Sequence, residues 1–187
     1  KGQLRALRTL QAGEGTTVIA EGRKLVNFSS NDYLGLASHP LLRQRAVEFA
    51  DLHGAGARAS RLIAGSHPGF ARVEERLAGL KQTAKALVFN SGYQANISLL
   101  PALADRHSLM LLDRRCHNSL IQGAALSRCQ MRRYRHGDLD HLRALLVEGA
   151  EADYTRRLIV TESVFSMDGD ISDIDAVVEV AAEFDAL

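Results

Sequence analysis

Residues 108–134 read "SLMLLDRRCHNSLIQGAALSRCQMRRY" and contain a complete strand, turn, helix and strand. The apolar run at 108–112 stops at Asp113, a helical pattern follows at 117–127, and a second strand candidate covers 129–134. Two strands joined through a helix normally lie parallel in one sheet, because the helix carries the chain back across the sheet face. This stretch therefore predicts a parallel sheet.

The same alternation continues on both sides of this unit. Further strands are predicted at 86–89 and 157–161, and further helices at 93–104, 138–148 and 173–186. The predicted fold class is α/β, a three-layer αβα arrangement with a mostly parallel sheet. Before it, the sequence predicts a β-hairpin around Glu21-Gly22, a helix after Pro40 and an amphipathic helix at 71–81.

Composition limits the functional class. The chain has 187 residues, 46% of them hydrophobic, and a net charge of +1, so neither nucleic acid nor an acidic membrane surface is indicated. It has no apolar run long enough to span a membrane and no apolar secretory segment, which predicts a cytoplasmic protein. Cys116 and Cys129 are predicted to be reduced thiols, and no metal site is predicted.

One local cluster is basic: Arg128, Arg132, Arg133, Arg135 and His136. We interpret it as a solvated face. A nucleic-acid-binding module is the non-enzymatic alternative, but only Tyr134 supplies an aromatic ring there and acidic residues follow directly.

Three predicted strand ends carry polar residues that could serve chemistry. Ser91 and Gly92 open a helix, where backbone N–H groups can bind an anion such as phosphate, or where Ser91 simply caps the helix. His117 opens the next helix and could stack on a flat ring, move a proton or only cap. Glu162 and Ser166 follow the last strand, in a segment that could equally be a polar loop.

Several common motifs are absent from the sequence. It lacks the glycine fingerprint of dinucleotide sites, the Gly-Lys-Ser/Thr of phosphate-binding loops and the Gly-x-Ser-x-Gly nucleophile turn. The "MDGD" turn at 167–170 lacks the spaced ligands of a calcium loop.

Six motifs together resemble the α-oxoamine synthases, which are pyridoxal-phosphate enzymes of the class II aminotransferase fold, fold type I. They are "NFSSNDYLGL" (27–36), "GAGARASRLIAG" (54–65), "VEERLA" (73–78), "FNSGYQAN" (89–96), "LDRRCHNSL" (112–120) and "TESVFSMDGD" (161–170). The resemblance covers nearly the whole chain. It implies an N-terminal helix and hairpin segment at 1–45, and the first part of the large cofactor domain at 46–187.

The resemblance also implies a role for each matching residue. The Ser-Gly-aromatic turn would hold the phosphate of pyridoxal 5'-phosphate, and the histidine that opens the following helix would stack on the ring and position the amino acid. The serine of the last motif would bond the phenolic oxygen of the ring. The cofactor-binding residues so implied are Ser91, Gly92, Tyr93, His117, Ser166 and Glu162, and the substrate-binding residues are Arg5 (with Arg8 as an alternative), Asn31 and His117.

The activity implied is a decarboxylating condensation of an amino acid with an acyl thioester, carried on coenzyme A or acyl carrier protein, in a homodimer. Within the family we favour L-alanine plus a pimeloyl thioester, which gives 8-amino-7-oxononanoate for biotin synthesis. 2-Amino-3-ketobutyrate ligase, serine palmitoyltransferase and 5-aminolevulinate synthase activities stay open, as does a class II aminotransferase.

The sequence departs from the family pattern at three points. The family's Schiff-base lysine would lie beyond Leu187, and Lys1, Lys24, Lys81 and Lys85 are not in its sequence context, so we expect these residues alone to be inactive. Phe70 stands where the family usually has histidine, and Arg58 stands where it usually has a small residue. Substrate choice is therefore expected to differ from that of the standard synthase.

Overall fold

A computed structural model describes residues 6–187 of the chain. They form two compact units that divide between Phe70 and Ala71. The predicted substrate residue Arg5 lies outside the described residues. The start of the large cofactor domain at residue 46 stays a prediction.

The first unit contains a small antiparallel sheet in the order β1-β2-β3. Its strands are β1 (Gln11–Ala12), β2 (Thr17–Ala20) and β3 (Arg23–Val26). The predicted hairpin is confirmed, because Ala20 pairs with Arg23 across a two-residue turn. Glu21 and Gly22 have φ angles of 50° and 74°, the left-handed conformation that such a tight hairpin requires at both positions.

Two helices follow, α1 (Pro40–His53) and α2 (Pro68–Lys81). Pro40 stands in the first turn of α1, where its missing N–H costs no hydrogen bond. Both helices were predicted, although α2 begins three residues earlier than expected.

The second unit has three parallel strands in the order β5-β4-β6, with helices between them in sequence. Its elements are α3 (Gly92–Leu103), β4 (Ser108–Asp113), α4 (Asn118–Ser127), β5 (Gln130–Tyr134), α5 (Leu139–Ala150), β6 (Arg156–Val160) and α6 (Ile174–Glu183). The α/β prediction is confirmed.

The central strand β4 is buried on both faces, as a strand between two helix layers must be. Met110 and Leu112 pack on the side of α3 and α4, in a cluster that includes Leu100 and Ala124. Leu109 and Leu111 pack on the other side, against residues of α5 and α6. Full burial of one such leucine contributes about 1.5–3 kcal/mol, so the sheet holds its strand ends firmly.

The predicted strand at 86–89 is wrong. The apolar run is extended but pairs with no other strand in the described part of the chain. Its Val88 N–H donates to the Glu74 carboxylate at 2.9 Å instead of to a neighbouring strand. A strand needs a partner as well as an apolar sequence, and the sequence pattern reports only the second.

None of the helices within residues 6–187 is both long and apolar enough to cross a membrane.

Candidate functional site

The turn before α3 combines a helix cap with unpaired donors. Ser91 is the N-cap of α3, and its Oγ accepts a hydrogen bond from the Gln94 N–H at 3.1 Å. The N–H groups of Gly92 and Tyr93 have no partner among residues 6–187. Apart from its chain neighbours and the backbone of α3 itself, no atom lies within 4 Å of where a Cβ on Gly92 would stand, so the first turn of α3 is open to a ligand. These are the features of a helix terminus that can bind an anion.

His117 is the N-cap of α4, which confirms the capping interpretation of this residue. Its ring Nδ1 accepts from the Ser119 N–H at 3.2 Å and lies 2.7 Å from the Ser119 Oγ. Its backbone N–H donates a hydrogen bond to the Glu162 carboxylate. His117 is therefore fixed through its backbone by Glu162 and through its ring by Ser119.

Tyr93 connects the turn before α3 with the turn before α4. Its ring meets the ring of His117 edge to face, with centroids 6.5 Å apart and planes at 84°. The contact sets the turn at Ser91 beside the imidazole. The structure thus brings together three of the residues predicted for one site: Tyr93, His117 and Glu162.

Ser166 is exposed and lies after β6, at the start of a tight turn that was predicted one residue later, at 167–170. The turn is closed by hydrogen bonds from the Phe165 N–H to the Asp170 carbonyl and from the Gly169 N–H to the Phe165 carbonyl, 3.0 and 2.8 Å long. Arg115, two residues before His117, forms an ion pair with Asp168 of this turn at 2.8 Å. Within residues 6–187 the Ser166 side chain has no hydrogen bond to another predicted site residue.

Asp170 of this turn belongs to a charged cluster with His136 and Asp113. His136 bridges two carboxylates, with its Nδ1 2.8 Å from Asp113 and its Nε2 2.5 Å from Asp170. Asp113 is 1% exposed and also accepts from the N–H groups of Arg115 and Gly137. Hydrogen bonding to Asp113, and then to Asp170, raises the pKa of His136, while hydrogen bonding to His136 lowers the pKa of Asp170.

The interpretation of the basic cluster as a solvated face is wrong for His136. Its side chain is 21% exposed, and its ring stacks edge to face on Phe165 with centroids 4.5 Å apart. The other members fit an exposed face better, since Arg132 pairs with Glu148 and Arg135 with Asp138. The partners of His136 lie 23 and 34 residues away in sequence, so no local pattern indicates them.

A cavity of about 250 Å³ borders this cluster. Its walls include Tyr134 at the end of β5, Thr161 directly after β6, and Asp173, the N-cap of α6. Burial raises the pKa of the Tyr134 hydroxyl to about 12, so this group stays neutral at physiological pH.

Asn31 lies in the first compact unit. Its Oδ1 accepts from the Tyr33 hydroxyl at 3.4 Å. Two of the three departures from the family pattern, Arg58 and Phe70, lie in the same unit. Arg58 has a φ of 62°, an unusual conformation for a residue other than glycine, and the Arg61 guanidinium lies 4.5 Å over the ring of Phe70.

Comparisons with known proteins find a matching family and similar proteins. A sequence profile of the class I and II aminotransferases matches residues 23–187. A protein of Desulfosudis oleivorans is 57% identical over 99% of this chain and 48% of its own length. The 8-amino-7-oxononanoate synthase of Geobacter sulfurreducens is 46% identical over all of this chain and 47% of its own length.

A solved structure is also similar. A serine palmitoyltransferase from S. paucimobilis, with bound PLP–myriocin aldimine, superposes with a TM-score of 0.90 at 27% identity, over 96% of this chain and 45% of its own. The chain spans about half the length of the curated relatives it matches.

Proposed function

Since the chain belongs to the class I and II aminotransferase family, we propose that it acts as an α-oxoamine synthase with pyridoxal 5'-phosphate as its cofactor. The observation that carries the proposal is the meeting of the open first turn of α3 with the fixed ring of His117, across the Tyr93 contact. One edge of the site can take a phosphate and the other a flat ring.

The described residues fit that cofactor. The unpaired N–H groups of Gly92 and Tyr93, with the Ser91 hydroxyl, would hold the phosphate at the positive end of α3. The His117 ring would cover one face of the pyridine ring. Ser166, exposed in its turn, would donate to the phenolic oxygen.

Glu162 binds the His117 backbone N–H and so helps to fix the position of the imidazole. Arg5 and Asn31 are proposed to bind the substrates, with His117 positioning the amino acid.

The proposed reaction joins L-alanine to a pimeloyl thioester of coenzyme A or acyl carrier protein. One carbon–carbon bond forms, the thiol leaves, and the alanine carboxyl departs as carbon dioxide, which gives 8-amino-7-oxononanoate. When bound, pyridoxal phosphate supplies an electron sink that stabilises negative charge at the amino acid's α-carbon. The relative from G. sulfurreducens, with this activity in its name, supports the choice over serine palmitoyltransferase, 2-amino-3-ketobutyrate ligase or a plain aminotransferase.

The activity test uses protein expressed from the complete reading frame. With carboxyl-labelled L-alanine and pimeloyl-CoA, we expect labelled carbon dioxide and free thiol in equal amounts, both dependent on added pyridoxal phosphate. Serine with palmitoyl-CoA and glycine with acetyl-CoA are the competing substrate pairs. Keto acid formation without carbon dioxide or thiol would identify an aminotransferase and overturn the proposal.

Three finer statements go with the proposal. We propose that the protein is a homodimer and that it lies in the cytoplasm. We also propose that none of Lys1, Lys24, Lys81 and Lys85 forms the covalent bond to the cofactor aldehyde. Borohydride reduction in the presence of pyridoxal phosphate, followed by peptide mapping, tests the last point. A label on Lys81 or Lys85 would refute it.

A further inference from the structure

Helices α3 and α4 approach each other closely at one glycine. A Cβ on Gly123 would stand only 2.6 Å from the backbone oxygen of Asn96, so any larger residue would force the helices apart. This close approach sets the Asn96 side chain of α3 against the first turn of α4. There the Asn96 Nδ2 donates to the Oγ of Ser119 at 2.8 Å.

Ser119 passes this contact on to the imidazole. It is fully buried, and both its Oγ and its backbone N–H lie within hydrogen-bond distance of His117 Nδ1, at 2.7 and 3.2 Å. A backbone N–H can only donate, so Nδ1 must accept this bond. The Ser119 oxygen already accepts from Asn96, which leaves its hydroxyl hydrogen for Nδ1 as well.

We propose that Asn96 and Ser119 are positioning residues that fix His117 in the tautomer with its proton on Nε2. With two donors on Nδ1, the neutral ring has only Nε2 left to carry the proton. His117 Nε2 has no hydrogen-bond partner among residues 6–187. It is thereby kept as a donor for an acceptor atom of a ligand.

The use of the His117 Nε2–H toward a ligand rests on the proposed function. We call the hydrogen bonds from Asn96 through Ser119 to His117 the relay. If pyridoxal phosphate and an amino acid occupy the site, the relay gives His117 a fixed ring plane and one outward N–H. A histidine free to change tautomer would present a donor only part of the time. The relay itself requires no ligand and can be tested without one.

Long-range ¹H–¹⁵N spectra of the ¹⁵N-histidine-labelled protein distinguish a protonated ring nitrogen from an unprotonated one. The His117 signals are assigned by their loss in His117→Gln. At about pH 8.5, two units above the usual imidazole pKa, we expect Nε2 to be protonated and Nδ1 unprotonated. The reverse pattern in the wild-type protein would overturn the proposal without any relay variant.

Two substitutions then test the relay. Asn96→Asp replaces the amide donor with a carboxylate, which accepts from the Ser119 hydroxyl. The serine oxygen is then free to accept a proton carried on Nδ1. Ser119→Ala removes the hydroxyl altogether. Loss of one hydrogen bond should raise the share of the Nδ1-protonated tautomer about five-fold in each variant.

The control is Asn118→Asp, which makes the same chemical change at an exposed neighbour outside the relay. It should leave the tautomer unchanged. Equal spectra for wild type, Asn96→Asp and Ser119→Ala would refute the relay. A separate titration with pyridoxal phosphate distinguishes the two claims, because its failure with the expected tautomer counts against the proposed function alone.

Discussion

Ser91 has hydrogen-bonding capacity left over after it caps α3. Its oxygen accepts from the Gln94 N–H, while its hydroxyl hydrogen remains available to a ligand. The capping and anion-binding interpretations of Ser91 are therefore compatible. His117 combines functions in the same way, since it caps α4 through Nδ1 and leaves Nε2 for the site.

Substitutions at Ser91 separate the two functions. Ser91→Ala should lower the free energy of unfolding by about 1 kcal/mol, because the cap is lost. Ser91→Asp should keep the cap and the stability, since aspartate is an equally good cap. Both should weaken binding of pyridoxal phosphate, the aspartate more strongly through repulsion of the phosphate. Urea unfolding and cofactor titration measure the two effects, and unchanged cofactor affinity in Ser91→Asp would contradict the assignment.

The two cysteines should differ in reactivity. Burial raises the pKa of Cys116 to about 12, and its thiol donates to the Val160 carbonyl, so it holds almost no thiolate at neutral pH. Cys129 is only partly buried. Iodoacetamide at about pH 8, well below that raised pKa, should therefore modify Cys129 first, as read by peptide mass spectrometry. Faster labelling of Cys116 than of Cys129 in the folded protein would contradict the burial of the Cys116 side chain.

Among the strands and turns, one hydrogen-bonded bridge links the end of β4 to the turn that carries Ser166. Asp113 ends β4, His136 follows β5, and Asp170 belongs to the turn that carries Ser166. The bridge therefore holds the Ser166 turn against the sheet.

This bridge should make stability depend on pH in a defined direction. Since the native pKa of His136 is raised above 6.5, its contribution is complete below pH 6.5 and is lost as pH rises through the native value. Since the pKa of Asp170 is lowered below 3.8, its contribution is present above pH 3.8 and is lost as pH falls through the native value. Urea midpoints of wild type and His136→Gln should therefore differ most between these limits.

The control is His39→Gln, because the His39 side chain makes no cap hydrogen bond and is exposed. Its urea midpoint should follow the wild type at every pH. A difference between wild type and His136→Gln that grows steadily from pH 6 to 9 would contradict the bridge.

The contact between α3 and α4 can be tested at Gly123. Alanine normally stabilises a helix relative to glycine, but here its Cβ would meet the Asn96 backbone at 2.6 Å. Gly123→Ala should therefore cost about 1–3 kcal/mol of unfolding free energy by overpacking. Gly79→Ala in α2 is the matched control, since its Cβ would meet nothing within 4 Å, and it should gain up to about 1 kcal/mol. Equal gains in both variants would rule out the close approach.

Elements governed by local chemistry were predictable from sequence. Asp138 and Asp173 cap α5 and α6 at the predicted helix starts, because a cap and its helix lie within three residues. The extended run at 86–89 was not predictable, since a strand depends on a partner distant in sequence. His136, and Asn96 with Ser119, were missed for the same reason, because their partners come together only when the sheet and helices are packed.

Over the chain as a whole, family membership and geometry both favour a pyridoxal-phosphate enzyme. The profile match runs from residue 23 to 187, and the predicted cofactor residues of the second unit lie on the segments that follow extended runs of the chain. The fold class followed from sequence, as did the helix start at Ser91, while the binding of phosphate there stays a prediction. The acyl chain, the amino acid and the roles of Arg58 and Phe70 depend on surfaces that local sequence does not specify.

The first turn of α3 and the His117 ring are proposed to form the binding site for pyridoxal phosphate. Equilibrium dialysis of pyridoxal 5'-phosphate against protein from the complete reading frame tests it most directly, with Ser91→Asp and His117→Ala beside the wild type and His39→Gln as control. We expect one saturable site per chain, with affinity weakened in the first two variants and unchanged in the control. Absence of saturable binding, or equal affinity in all four proteins, would contradict it.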